Sequence, residues 1–165
     1  MIMMTIAQIM EKMIAFSEGN IHDITHLSCV WTYAKTIGEL EGLDAETRFI
    51  LEVAAITHDI ACPLCRKKYG NTNGSYQEQE GDPLVREFLA DTGMTTAQID
   101  RVAYLVGHHH SPAQIDGIDY QILIEADYIV NASESGDSQQ TIQSFMEHTM
   151  KTAAGIRLTK TVFGV

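Results

Sequence analysis

Basic side chains are scarce in this sequence: 11 Lys and Arg stand against 22 Asp and Glu, leaving a net charge of −11. A surface of that sign cannot release counterions from nucleic-acid phosphates, and anionic membranes repel it. Neither a nucleic-acid polymer nor a membrane is expected as a partner. Long apolar runs are missing too, with nothing near the ~18 consecutive residues of a membrane span. The opening Met1-Ile-Met-Met-Thr-Ile-Ala has no basic leader and no extended apolar region, so a secretion signal is not expected. Cysteine is sparse and odd in number, three in 165 residues. That excludes a closed disulfide framework and points to a reducing, cytoplasmic setting. Cys62-Pro-Leu-Cys65 has the spacing of a redox or zinc half-site, but no second pair completes it, and the cysteines read as incidental.

What the sequence does contain is helical periodicity. An apolar fraction of 45% and a charged fraction of 20% suit one globular domain over residues 1–165, large enough to bury a core. Ile2, Ile6, Ile9, Met10, Met13 and Ile14 form one stripe, closed by residues 17–20. This methionine-rich helix serves the core or the surface of a homodimer. A second helix is expected from Asp23 to about Glu41. A third follows the N-cap Asp44, runs into His58 and stops near Pro63. Residues 66–80 are polar and rich in turn formers, and read as the longest loop. Asp82-Pro83 then opens a short helix to Ala90, and Thr95 with Gln98 forms a capping box for another that ends near Gly107. Helices over residues 120–134 and 138–154 follow, with Gly155 as the stop of the last. Only residues 120–124 alternate as a strand would. No internal repeat, low-complexity tract or linker interrupts the pattern. The fold class is all-α.

Four polar residues do not fit amphipathic packing. Asp127 shares a helical face with Leu123, Ile124, Val130 and Asn131, where an unpaired carboxylate would be costly to bury. His26 lies on the inward side of its helix, one turn before Val30. His58 and Asp59 end a helix whose preceding turn is Ala54-Ala55, small residues that leave room. Singly, each of these is more often a hydrogen-bonded core residue, a cap or an arginine partner. Together, imidazoles and carboxylates on separate helices are the donor types that hold a metal inside a helical bundle.

In the order His26 … His58-Asp59 … Asp127 the sequence resembles the HD-domain superfamily of metal-dependent phosphohydrolases. The likeness extends over about residues 20–135. It includes His22-Asp-Ile-Thr-His26, Ala54-Ala-Ile-Thr-His58-Asp59, His108-His-His110 and Glu125-Ala-Asp127. It implies an HD-type helical bundle with a metal site between helices. It further implies one divalent ion (Mn, Ni, Co, Zn, Fe or Mg) held by His26, His58, Asp59 and Asp127. His58 and Asp59 are then the catalytic pair, and a metal-activated water attacks a small phosphorylated metabolite, a nucleotide by preference.

Some members use histidines at the place of His108, His109 and His110 for a second metal. No histidine lies between His58 and His108 to complete that set. Only Glu78 or Glu80 could replace it, so a single ion is expected, with the His108–His110 run, His109 above all, serving substrate. His22 and Asp23 are candidates to orient His26, and Arg66, Lys67 and Lys68 to steer a phosphate. A capped helix start and a solvated loop explain those residues equally well. Ile60-Ala61 replaces the Gly-Lys that follows some HD motifs. Two other functions would use the same ligands: a di-iron oxygenase, which needs the second-metal set, and a metal- or nucleotide-binding sensor without turnover.

Overall fold

Most helix starts in this chain are marked by side chains that accept from the first free backbone N–H groups. In the computed structural model, which describes residues 2–165, Thr5 and Gln8 form a reciprocal capping box at the head of α1 (Ile6–Phe16). The Ile2 end of the apolar stripe therefore lies outside the helix, and Ile2 is exposed. Asn20, rather than Asp23, caps α2 (Ile21–Leu40). Asp44 caps α3 (Ala45–Thr57), and Thr95 with Gln98 boxes α6 (Thr96–Val106), both as the sequence predicts.

The stretch read as the longest loop is mostly helix. α4 (Cys62–Tyr69) takes Pro63 in its first turn, where a missing N–H costs nothing, and ends at Gly70 in the left-handed region. α5 (Gly74–Leu89) begins four residues later and carries Asp82-Pro83 in its interior rather than at its head. An interior proline sacrifices one backbone bond, a loss of about 3 kcal/mol or more. Packing compensates: Gln77, Gly81, Val85 and Leu89 are buried where α5 lies on α6. The approach is close enough that a Cβ on Gly81 would come within 2.9 Å of Val106 Cγ1.

α7 (Ile118–Ser135) is buried along most of its length, and α2, α3 and α9 pack against it. A helix enclosed on all sides loses its amphipathic period, which is why residues 120–124 alternate like a strand. Among the described residues there are nine helices, one 3-10 turn at Pro112–Gln114 and no strand. None of the helices is long and apolar enough to cross a membrane.

The final helix of the sequence reading is two. α8 (Gln139–His148) is capped by Ser138, and α9 (Ala153–Phe163) by Thr152. The break is imposed from α7. Glu125, fully buried, accepts from the backbone N–H groups of Lys151 at 2.7 Å and Thr152 at 3.0 Å, and from the Thr152 hydroxyl. Gly155 is not a stop. It lies in the first turn of α9, where any Cβ would overlap the Glu125 carboxylate. Gly155→Ala is therefore expected to destabilise the protein by about 1–3 kcal/mol, the usual result of overpacking. Chemical denaturation will read this as a lower midpoint, and an unchanged midpoint would show that the carboxylate moves aside freely.

Candidate metal centre

α2 carries His26, the turn closing α3 carries His58 and Asp59, and α7 carries Asp127. Because α2 packs on both α3 and α7, the four side chains meet at one point. His26 Nε2 stands 3.2 Å from His58 Nε2, 3.2 Å from Asp127 Oδ1 and 3.3 Å from Asp59 Oδ2. His58 Nε2 lies 3.4 Å from Asp127 Oδ1 and 3.5 Å from Asp59 Oδ1. Metal bonds of about 2.0–2.2 Å place neighbouring ligand atoms about 3.0–3.5 Å apart. These are the separations of donors that share one ion.

Tautomers support that fit. His58 Nδ1 donates to the Ala55 carbonyl at 2.8 Å, and His109 Nδ1 to the Val106 carbonyl at 2.8 Å. His26 Nδ1 bonds the Glu134 carboxylate at 3.0 Å. Carbonyls and carboxylates accept, so each ring places its proton on Nδ1 and its free lone pair on Nε2. Three lone pairs and two carboxylates thus converge in a buried space. His109 Nε2 has no hydrogen-bond partner and lies 3.3 Å from Asp59 Oδ1. Such a concentration of acceptors calls for a cation.

The electrostatics agree. Burial opposes a charge on His58, but Asp59 and Asp127 outweigh it and raise its pKa to about 9. Burial likewise raises Asp59, yet the neighbouring His58 brings it down to about 2. Asp127 is driven well below the usual carboxylate range against its own burial, chiefly by His58. Without an ion, protons on the imidazoles supply the positive charge.

Several candidates from the sequence take other partners, although His22, Asp23 and Arg66 border the cavity over the cluster. His26 is oriented by Glu134, not by its neighbours: His22 is exposed, with Nε2 3.9 Å from Glu134, and Asp23 is committed to Arg66. The basic run does not form a free phosphate clamp. Arg66 forks onto Asp23, Lys68 pairs with Glu80, and Lys67 is exposed beside a separate depression near Phe16. Glu80 is also bonded by Tyr69 at 2.5 Å, and Glu78 accepts from His110 N and Ser111 Oγ. Neither glutamate reaches the cluster. His108 stacks on Tyr104 and donates to its carbonyl, outside the site. His109 and His110 do group with Asp59.

Glu134 is not singled out by the sequence, and Asn131 is placed on the Asp127 face without a role. Both lie on the Asp127 face of α7, seven and four residues on, and Asn131 Nδ2 donates to Asp127 Oδ1 at 2.9 Å. That i, i+4, i+7 spacing was the available signal. A cavity of about 190 Å³ opens onto the cluster, with His26, Asp59 and Asp127 in its wall. Depressions of 420 to 590 Å³ elsewhere on the surface carry none of these donors. Cys62 also borders the cavity, and burial pushes its thiol pKa up, away from thiolate chemistry.

A family model described as HD domain matches residues 23–142 of the chain. No curated protein matches it.

Proposed function

The chain belongs to the HD-domain family, and from that premise we propose that it is a phosphohydrolase holding one divalent ion on His26, His58, Asp59 and Asp127. The substrate is a small phosphorylated metabolite. The observation that carries the reading is the convergence of Nε2 lone pairs and carboxylates at 3.2 to 3.5 Å. A divalent ion bound there lowers the pKa of water and polarises a phosphoryl oxygen.

The protein's own groups do the rest. Asp59 is the most exposed of the four and forms the cavity side of the cluster. Its Oδ1 and His109 Nε2 are two acceptors 3.3 Å apart. One water can donate a hydrogen to each, which turns its lone pair towards an incoming phosphorus. His109→Ala is accordingly expected to lower turnover about 10²-fold with metal content nearly unchanged. Metal analysis beside a phosphate-release assay checks this. Two ions per chain, the second in the Asp59–His109–His110 group and accompanied by oxygen consumption, would replace hydrolysis with the oxygenase reading.

Metal uptake should depend on pH. The His58 proton, held with a pKa of about 9, must leave before Nε2 can bind an ion. Affinity is therefore expected to rise by up to about tenfold per pH unit below that value and to level off above it. Calorimetry in buffers of different ionisation enthalpy will count the protons released. An affinity flat with pH would mean that His58 is not a ligand.

A further inference from the structure

No Phe, Tyr or Trp lines the cavity over the metal cluster, and its only apolar side chain is that of Cys62. The volume of about 190 Å³ is also below the roughly 300–1,000 Å³ of pockets that enclose drug-sized ligands. Two carboxylates of the outer wall already have partners, Asp23 the Arg66 guanidinium and Glu134 the N–H of His26. Neither carboxylate is left without a close partner to recruit a cationic leaving group, and the Arg66 guanidinium is spent on Asp23 rather than free for a second phosphate.

One wall group is left unsatisfied. Gln77 is 6% exposed, and its Nε2 donates to the Thr72 carbonyl at 2.7 Å. A carbonyl only accepts, so the amide cannot be flipped. Gln77 Oε1 is then a buried acceptor with no partner. Phosphate oxygens are acceptors themselves and cannot satisfy it, but a hydroxyl can.

Resting on the hydrolase reading, we propose that the substrate is a small phosphomonoester with an uncharged, hydroxyl-bearing leaving group rather than a nucleotide, and that Gln77 is the residue that recognises the hydroxyl. Hydrolysis breaks the P–O bond, water supplies the new oxygen, and the alcohol leaves with a proton.

The test pairs esters that differ only in hydroxyls: glycerol 3-phosphate against propyl phosphate, and ribose 5-phosphate against pentyl phosphate, with a nucleoside 5′-monophosphate as a third arm. Phosphate release and calorimetric binding are both measured on the metal-loaded full chain. The wild type is expected to favour the hydroxylated ester at least about tenfold in kcat/KM and in Kd, and to favour it over the nucleotide. Gln77→Met keeps the volume of the side chain and should bring the ratio close to one; Gln77→Ala is the second variant if Met disturbs folding. A wild type that prefers the nucleotide, or that shows no hydroxyl preference, overturns the proposal. So does an equal preference in the variants. If binding discriminates and no ester is hydrolysed, the hydrolase reading fails while Gln77 keeps its role.

Discussion

Asp59→Ala is expected to abolish phosphate release, by at least about 10³-fold, while far-ultraviolet circular dichroism stays helical. The ion's stabilisation of the developing charge is worth several kcal/mol, and each ~1.4 kcal/mol is a factor of ten in rate. Asp59 supplies oxygens to His26 and His58 at 3.3 and 3.5 Å and faces the cavity beside His109. Its loss therefore opens the donor set and removes half of the water's anchor. The fold has little reason to suffer. Asp59 lies on the turn after α3, and its charge is close to that of Asp127, so the mutation also relieves a repulsion. Asp59→Asn, which keeps the shape but not the charge, should lose activity nearly as far. Wild-type turnover in either variant would show that the cluster is not where the chemistry happens.

The second large effect concerns stability. Glu125→Ala is expected to lower the thermal midpoint by about 6–20 °C. Glu125 is fully buried and accepts from Gln121 Nε2 at 2.7 Å, from two backbone N–H groups of the α8–α9 connection and from the Thr152 hydroxyl. Deleting it strands those donors in the interior, and each buried unsatisfied group costs about 1–3 kcal/mol. The losses overlap, and a total of about 3–5 kcal/mol is reasonable for a broken buried network. In a chain of this size ~1 kcal/mol moves the midpoint by about 2–4 °C. Below its own midpoint the variant should still bind metal, because Asp127 points from a different face of α7. A midpoint within ~2 °C of the wild type would mean that residues 149–152 find other acceptors or water.

These two carboxylates, Glu125 and Asp127, stand two residues apart on one helix, and they differ in how far the sequence reveals them. Asp127 is legible. It interrupts an apolar stripe, and the histidines and second aspartate that answer it recur on other helices in an order with a chemical meaning. Glu125 is quoted easily as part of the same motif, yet its task of breaking a helix 26 residues later has no local trace. The same division runs through the rest of the chain. Caps such as Asp44 and Thr95 are readable because the side chain and the N–H it accepts from lie three residues apart. The helix over residues 74–89 is not, because Asn71 and Asn73 just before it and the Gly and Pro within it are turn formers, and only burial against α6 outweighs them.

Sequence by itself determined the helical class, the helix starts at Asp44, Thr95 and Ser138 and the four residues that meet in the His/Asp cluster, since periodicity, capping and ligand chemistry are properties of residue type and short spacing. Tertiary structure decided which partner each polar group receives. Glu134 rather than His22 holds His26, Arg66 and Lys68 are spent on Asp23 and Glu80, and Gln77 is left with an open acceptor. The physical reason is that a buried hydrogen bond is chosen by whichever donor and acceptor the packing of helices brings within about 3 Å, and that packing joins residues with no fixed separation along the chain.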